Sequence, residues 1–240
     1  MFKLKPLDGK EPLVEGKEVI IPNIIEDFWK WSYSTIHNPQ IRGFLAEYLV
    51  YRSLKSYSDF ELFDDYFLTK IEGDVHDLKF GQSNRSYTIQ VKSFESYADS
   101  KDDNKTFNFA KATGFDPITN SDIKLKKHWS DFYVICEIKV SKEQCQLLET
   151  THKKWNANNN KKTAVEIREY SDAQEALRKS IIDVDNWVFY VVRSKDLPDQ
   201  SSMVADKFKD YINDGKVIMC SFKGITKAFD TLLESSSKIA

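Results

Sequence analysis

The chain has 240 residues, 13% of them aromatic and 30% charged, which is enough apolar mass to bury a full core and excludes a disordered or low-complexity protein. Its three cysteines, Cys136, Cys145 and Cys220, form no CxxC pair, which argues against a disulfide framework and against a structural zinc site. The net charge of -2 gives no global nucleic-acid footprint but allows a local basic surface, and no signal-type or membrane-spanning run is seen, so a cytoplasmic protein with no membrane partner is expected.

In chain order, residues 1–22 are punctuated by Lys, Pro and Gly, with a short strand expected at Glu18–Ile21. Ile24 to His37 reads as a helix whose stripe of Ile25, Phe28, Trp29, Tyr33 and Ile36 is expected to be a core face. Asn38-Pro39 interrupts it, and a second helix follows with Phe44, Leu45, Tyr48, Leu49 and Leu54 repeating at three and four. Phe60 to Leu68 reads as a strand. Glu95 to Ser130 reads as a long polar loop whose end, Lys124-Leu125-Lys126-Lys127-His128-Trp129, is basic with an aromatic. Segments of that kind contact phosphates, so Lys124, Lys126 and Lys127 are candidate DNA-binding residues. Asp131–Ile138 and Asn186–Val192 are continuous apolar runs, expected as central strands buried on both sides. A helix is expected from Ser141, with Gln144 placed for a capping box. Ser201–Asn213 and Ile225–Leu233 complete the helices. This order predicts an α/β fold with a central mixed sheet flanked by helices.

The middle of the chain carries the chemistry. Gly73-Asp74-Val75-His76-Asp77-Leu78-Lys79-Phe80, the turn-rich Gly81–Arg85 and Ser86–Ser93 read as two strands and a loop. Tyr87, Ile89 and Val91 point one way, while Gln90 and Lys92 share the polar face, roughly 7 Å apart along the strand. Asp77 offers a carboxylate to a divalent cation, Gln90 an amide oxygen, and Lys92 a positive charge beside it. That set suits phosphodiester hydrolysis. Pairing Phe80 with Ser86 in a simple hairpin would set Ile89 opposite Asp77 and Lys92 opposite Asp74. Either a bulge shifts the register by one residue or Asp74 is the ligand. Asp77 is favoured, because Asp74 shares strand phase with the apolar Leu78 and Phe80.

This run resembles the core of the PD-(D/E)xK nuclease superfamily: a metal-binding Asp, a hairpin and a (Glu/Asp/Gln)-x-Lys triplet, often with an acidic residue on the preceding helix. Ile41-Arg42-Gly43-Phe44-Leu45-Ala46-Glu47-Tyr48-Leu49-Val50 fits that helix, with Glu47 amid apolar residues. The likeness covers about residues 39 to 95 and places Gln90 where Glu is commoner, so Glu47 and Asp77 must supply most of the negative charge. It implies one nuclease domain over 1–240 with a restriction-endonuclease-like core at about 39–140. It implies Mg²⁺, with Mn²⁺ as a substitute, held by Asp77, Glu47 and Gln90. It implies Lys92 as the residue that activates water and stabilises the transition state. The expected activity is cleavage of double-stranded DNA by a homodimeric type II restriction endonuclease. A repair or junction nuclease reading DNA shape, and an inactive nuclease-fold DNA-binding module, are the alternatives.

Overall fold

The computed structural model describes residues 7–15, 17–55, 76–82, 85–97, 106–116, 119, 121–157 and 162–237. The elements run β1 (Leu13–Glu15), β2 (Glu18–Ile21), α1 (Ile24–Tyr33), α2 (Pro39–Lys55), β3 (Leu78–Gln82) and β4 (Arg85–Tyr97). Then come β5 (Thr106–Asn108), β6 (Ala112–Asp116), β7 (Ser121–Lys127), β8 (Phe132–Val140), α3 (Lys142–Ala157) and α4 (Ala164–Ile182). The last are β9 (Trp187–Arg193), β10 (Ser202–Val204), α5 (Ala205–Asn213), β11 (Val217–Cys220) and α6 (Ile225–Ser237). The strand expected at Phe60–Leu68, and Asp74, lie outside the described residues.

Among the described residues, five strands form a mixed central sheet in the order β11-β9-β8-β4-β3. β4 and β8 run parallel, and the other neighbours are antiparallel. β8 takes the middle because its residues are largely apolar on both faces, and every one except Lys139 is buried. On one face, Ile89, Val91, Val134, Cys136, Phe189 and Val191 meet Ala46 and Val50 of α2, Leu177 and Ile181 of α4, and Phe229 of α6. On the other, Tyr133, Ile135, Tyr190 and Val192 meet Phe107 and Met203 of the β5–β10 ribbon and Phe208 of α5. Each large apolar side chain so enclosed contributes about 1.5–3 kcal/mol. The expected α/β architecture, a mixed sheet between helices, is what the chain adopts. Among the described residues, no helix is long and apolar enough to cross a membrane.

Several local expectations change. α1 ends at Tyr33 rather than His37, and its apolar stripe is not a core face: none of its residues is buried. The sheet face is already covered by α2, α4 and α6, so α1 rests at the edge, with Tyr33 edge-on to Phe44. In α2 the buried stripe runs through Arg42, Ala46, Val50 and Leu54, while Tyr48 is exposed. Arg42 takes a charge into this interface by pairing with Glu95. The polar stretch from Glu95 to Ser130 is not one long loop; it holds the end of β4, then β5, β6 and β7. Phe107 and Phe109 alternate inward there and bury completely enough to order the segment. Ser201–Asn213 begins as strand β10 before turning helical. α3 starts where its cap predicts, with Ser141 Oγ accepting from the Gln144 N–H. α4 adds a helix to the expected order, and Thr163 and Glu166 form a full capping box at its start.

Candidate active site

β3 and β4 pair Leu78 with Ile89, Phe80 with Tyr87 and Gln82 with Arg85, leaving two residues between the strands. This is the shifted register, one residue from the simple hairpin, and it leaves Asp77, just before β3, within reach of the Gln90 side chain. A two-residue connection achieves the shift without a bulge in the ladder. Packing selects it. Phe80 is fully buried, with its ring centroid 5.3 Å from Tyr87, 6.0 Å from Phe132 and 5.0 Å from Phe229. Slipping the strand by one would turn Leu78 and Phe80 away from that cluster.

Asp77 lies at the mouth of the hairpin and is tied to β4 through both backbone and side chain. Its N–H donates to the Ile89 carbonyl at 2.9 Å. Its Oδ2 accepts from the Val91 N–H at 2.7 Å and from Gln90 Nε2 at 2.5 Å. Gln90 is half-buried and Lys92, on the same strand face, is exposed. The carboxylate is thereby fixed against the triplet strand.

Parallel pairing with β8 brings Tyr133 beside Gln90, a neighbour that sequence spacing could not reveal. Burial, and next the charge of Asp77, push the Tyr133 hydroxyl up to about 12, so it remains a donor at neutral pH. His128 stands perpendicular to the Tyr133 ring, with Nδ1 at 3.3 Å from the hydroxyl. Its Nε2 is buried and has no hydrogen-bond partner among the described residues. Burial lowers its pKa, helped by Lys111, which keeps the ring neutral. In the sequence His128 is one of several scattered histidines; the short turn from β7 into β8 folds it back onto Tyr133, five residues on.

Glu47 is half-buried on α2, beside the buried Ala46. The Cys136 thiol is driven well above its ordinary range by burial first, then by the charges of Cys220, Glu47 and Asp77. α2 packs on the sheet face that carries Ile89 and Val91, whereas Gln90 shares the opposite face with its neighbour Tyr133. Cys136 itself is the small core residue expected. Among the described residues no three His, Cys, Asp or Glu side chains converge as a metal-holding group. The candidate set of Asp77, Glu47 and Gln90 has two acids and one amide. Its chemistry fits a hard divalent cation, since every donor is an oxygen. The Gln90 amide presents its NH₂ to Asp77, so serving as a ligand requires the amide to turn over about its last bond.

Lys124, Lys126 and Lys127 form a separate cluster on the β6–β7 ribbon. All three are exposed, and no hydrogen bond or ion pair among the described residues joins them to Asp77, Gln90 or Lys92. The register jumps between Thr113, which faces Lys126, and Gly114, which faces Ile123, so Lys124 and Leu125 bulge outward. Trp129 braces the ribbon: its indole N–H donates to the Ala112 carbonyl at 2.8 Å. A Cβ on Gly114 would sit 2.4 Å from the Trp129 ring, which only glycine avoids. Lys127 Nζ lies 4.1 Å from the centre of the same ring.

Comparison of the chain with protein-family models, with curated proteins and with solved structures finds no match.

Proposed function

We propose that this protein is a metal-dependent endonuclease acting on double-stranded DNA, built on a restriction-endonuclease-like core and foremost of the type II restriction class. The observation that carries this reading is the pairing of Asp77 with Gln90 at the mouth of the β3–β4 hairpin, with Lys92 next along the same strand face. Asp77, Glu47 and Gln90 would hold Mg²⁺ or Mn²⁺. A cation bound there supplies Lewis acidity at the phosphate and an acidified water. Lys92 is exposed where a phosphate can approach, and its charge opposes the negative charge that builds up during displacement. Lys124, Lys126 and Lys127 would neutralise backbone phosphates from the ribbon. Cutting both strands calls for two such sites, hence a homodimer.

A second reading has one observation in its favour. Gln90 donates to Asp77 through Nε2, so in this arrangement the amide itself satisfies the carboxylate. A DNA-binding module of the same fold, without catalysis, would keep that contact.

Incubating the full chain with long phage DNA and Mg²⁺ separates the cases. Discrete fragments that vanish with EDTA are expected. A smear without fixed ends favours a nuclease that reads shape. Retarded but uncut DNA favours the binding module.

A further inference from the structure

The β6–β7 ribbon carries a feature that contact with phosphates does not use. Thr113 pairs with Lys126 and Gly114 with Ile123, so two residues of β7, Lys124 and Leu125, have no counterpart on β6. Leu125 is 63% exposed at this bulge. Lys124 precedes it and Lys126 and Lys127 follow it, all exposed. Among the described residues no carboxylate pairs with any of the three lysines. A leucine in open solvent is ordinary by itself. A leucine lifted out of a strand ladder, with a cation on either side, is an apolar point inside a basic edge.

The bulge is held at a fixed place. The Trp129 indole N–H donates to the Ala112 carbonyl at 2.8 Å, its ring lies against Gly114, and Lys127 Nζ lies 4.1 Å from the ring centre. Trp129 thus covers the ribbon face of Ala112, Gly114 and Lys127, while Thr113 and its partner Lys126 face the other way. Asp122 pairs with Phe115 on the turn side of the bulge, so the carboxylate is nearer the turn and the cations nearer the base. A polyanion is therefore met by the edge of the ribbon at the bulge, not by its turn. Two residues of chain from Lys124 to Lys126 span at most about 7 Å. That matches the rows of phosphates across the minor groove of a duplex, about 6 Å wide, better than those across the major groove, about 12 Å wide.

We propose that the bulge docks in the minor groove of duplex DNA, where Leu125 enters between two base pairs as an apolar wedge and Lys124 and Lys126 take the phosphates on either side. The inference rests on the duplex-DNA reading and adds where the duplex is deformed. Apolar side chains that enter a base step from this groove part the stack and bend the DNA. Pyrimidine–purine steps open most easily, so Leu125 favours such steps without touching a base edge.

The test uses the full chain with closed circular plasmid, which offers every base step at once, and Ca²⁺ in place of Mg²⁺ to suppress cutting. A metal-independent topoisomerase relaxes the complex, and electrophoresis after removal of protein reads the linking number. A wedge unwinds the duplex, so the unaltered protein is expected to lower the linking number in proportion to the amount bound. Leu125→Ala should remove most of that shift. Its affinity for a short duplex, read by anisotropy, should fall by about tenfold or less with the salt slope retained, because the lysines remain. Leu125→Phe, a wider wedge, should keep the shift. The side chain is exposed, so both variants keep the fold. A shift that survives Leu125→Ala, or duplex binding with no shift, overturns the wedge and leaves the DNA reading standing. No duplex binding by the unaltered protein removes both. Phosphatidylserine vesicles form the second arm: vesicle binding that Leu125→Ala abolishes, with the linking number unmoved by the unaltered protein, assigns the bulge to a lipid surface and overturns the proposal.

Discussion

Two antiparallel hairpins in this chain share a local design and differ in what surrounds them. β3–β4 forms part of the central sheet, with Leu78, Phe80, Ile89 and Val91 buried beneath helices. β6–β7 forms a two-stranded sheet by itself, and six of the seven residues of β7 are exposed. In the first, burial on one face leaves a single register possible, and that register brings Asp77 within reach of Gln90. In the second, no core face sets the register, and the pairing jumps at Thr113–Gly114. The lesson is that packing, not strand propensity, turns a hairpin into a precise holder of polar groups. The first hairpin is suited to chemistry at a fixed point, and the second to contact with an extended charged surface.

The largest contrast should come from truncation. Phe80→Ala is expected to cost about 3–5 kcal/mol in urea unfolding, from the transfer energy of the removed ring and a cavity between Phe132 and Phe229. Leu125→Ala on the ribbon should change stability by no more than about 0.5 kcal/mol. Equal losses would erase the distinction between the hairpins.

Next in size is Lys92→Ala. Cleavage of plasmid DNA should fall by about 10²–10³-fold, with circular dichroism and DNA retention unchanged, because the side chain is exposed and touches no core. A folded Lys92→Ala protein that cuts at the normal rate would remove the catalytic role of the first hairpin.

Gln90→Glu sharpens the comparison at the same place. A second carboxylate against Asp77 should tighten Mn²⁺ binding in calorimetry and lower stability in metal-free buffer, since like charges then repel at hydrogen-bond distance. Unchanged Mn²⁺ affinity would mean that residue 90 does not touch the ion.

A smaller effect is expected at high pH. Burial raises Tyr133 to about 12, above the usual tyrosine value of about 10. The protonated phenol is the form the fold favours, so its contribution is complete below about pH 10 and is lost as pH rises towards 12. Absorbance at 295 nm should show two tyrosines titrating late, Tyr133 and Tyr190, because burial and Glu137 push Tyr190 up as well. Tyr133→Phe should remove one of the two late steps, and an undiminished late absorbance change in the variant would place the first perturbation elsewhere.

The smallest effect belongs to the ribbon. Replacing Lys124, Lys126 and Lys127 with Ala should leave stability and Mn²⁺ affinity intact. It should weaken binding to all duplexes alike and flatten the slope of log affinity against log salt by about 0.9 for each phosphate no longer neutralised. Anisotropy measured with Ca²⁺ at several salt concentrations reads this. An unchanged slope would leave the ribbon as a solvated surface.

By itself the sequence determined the elements whose side-chain pattern is strong. The long, largely apolar runs of β8 and β9 specify strands buried on two sides, because few other structures can hide so many apolar residues in a row. The alternation through Ile89, Gln90, Val91 and Lys92 assigns each residue to its face, since the pleat has a period of two. It left two registers open for Asp77, because pairing depends on what lies above the strand. Only the tertiary structure closed that choice, by placing Phe80 among Tyr87, Phe132 and Phe229. It also demoted the aromatic stripe of α1 to an edge, since amphipathic spacing shows that a helix has an apolar face but not whether any room remains on the sheet. The placing of Tyr133 beside Gln90 was beyond reach for the same reason. It comes from pairing between elements distant in the chain, and such contacts leave no periodicity in the residues that make them.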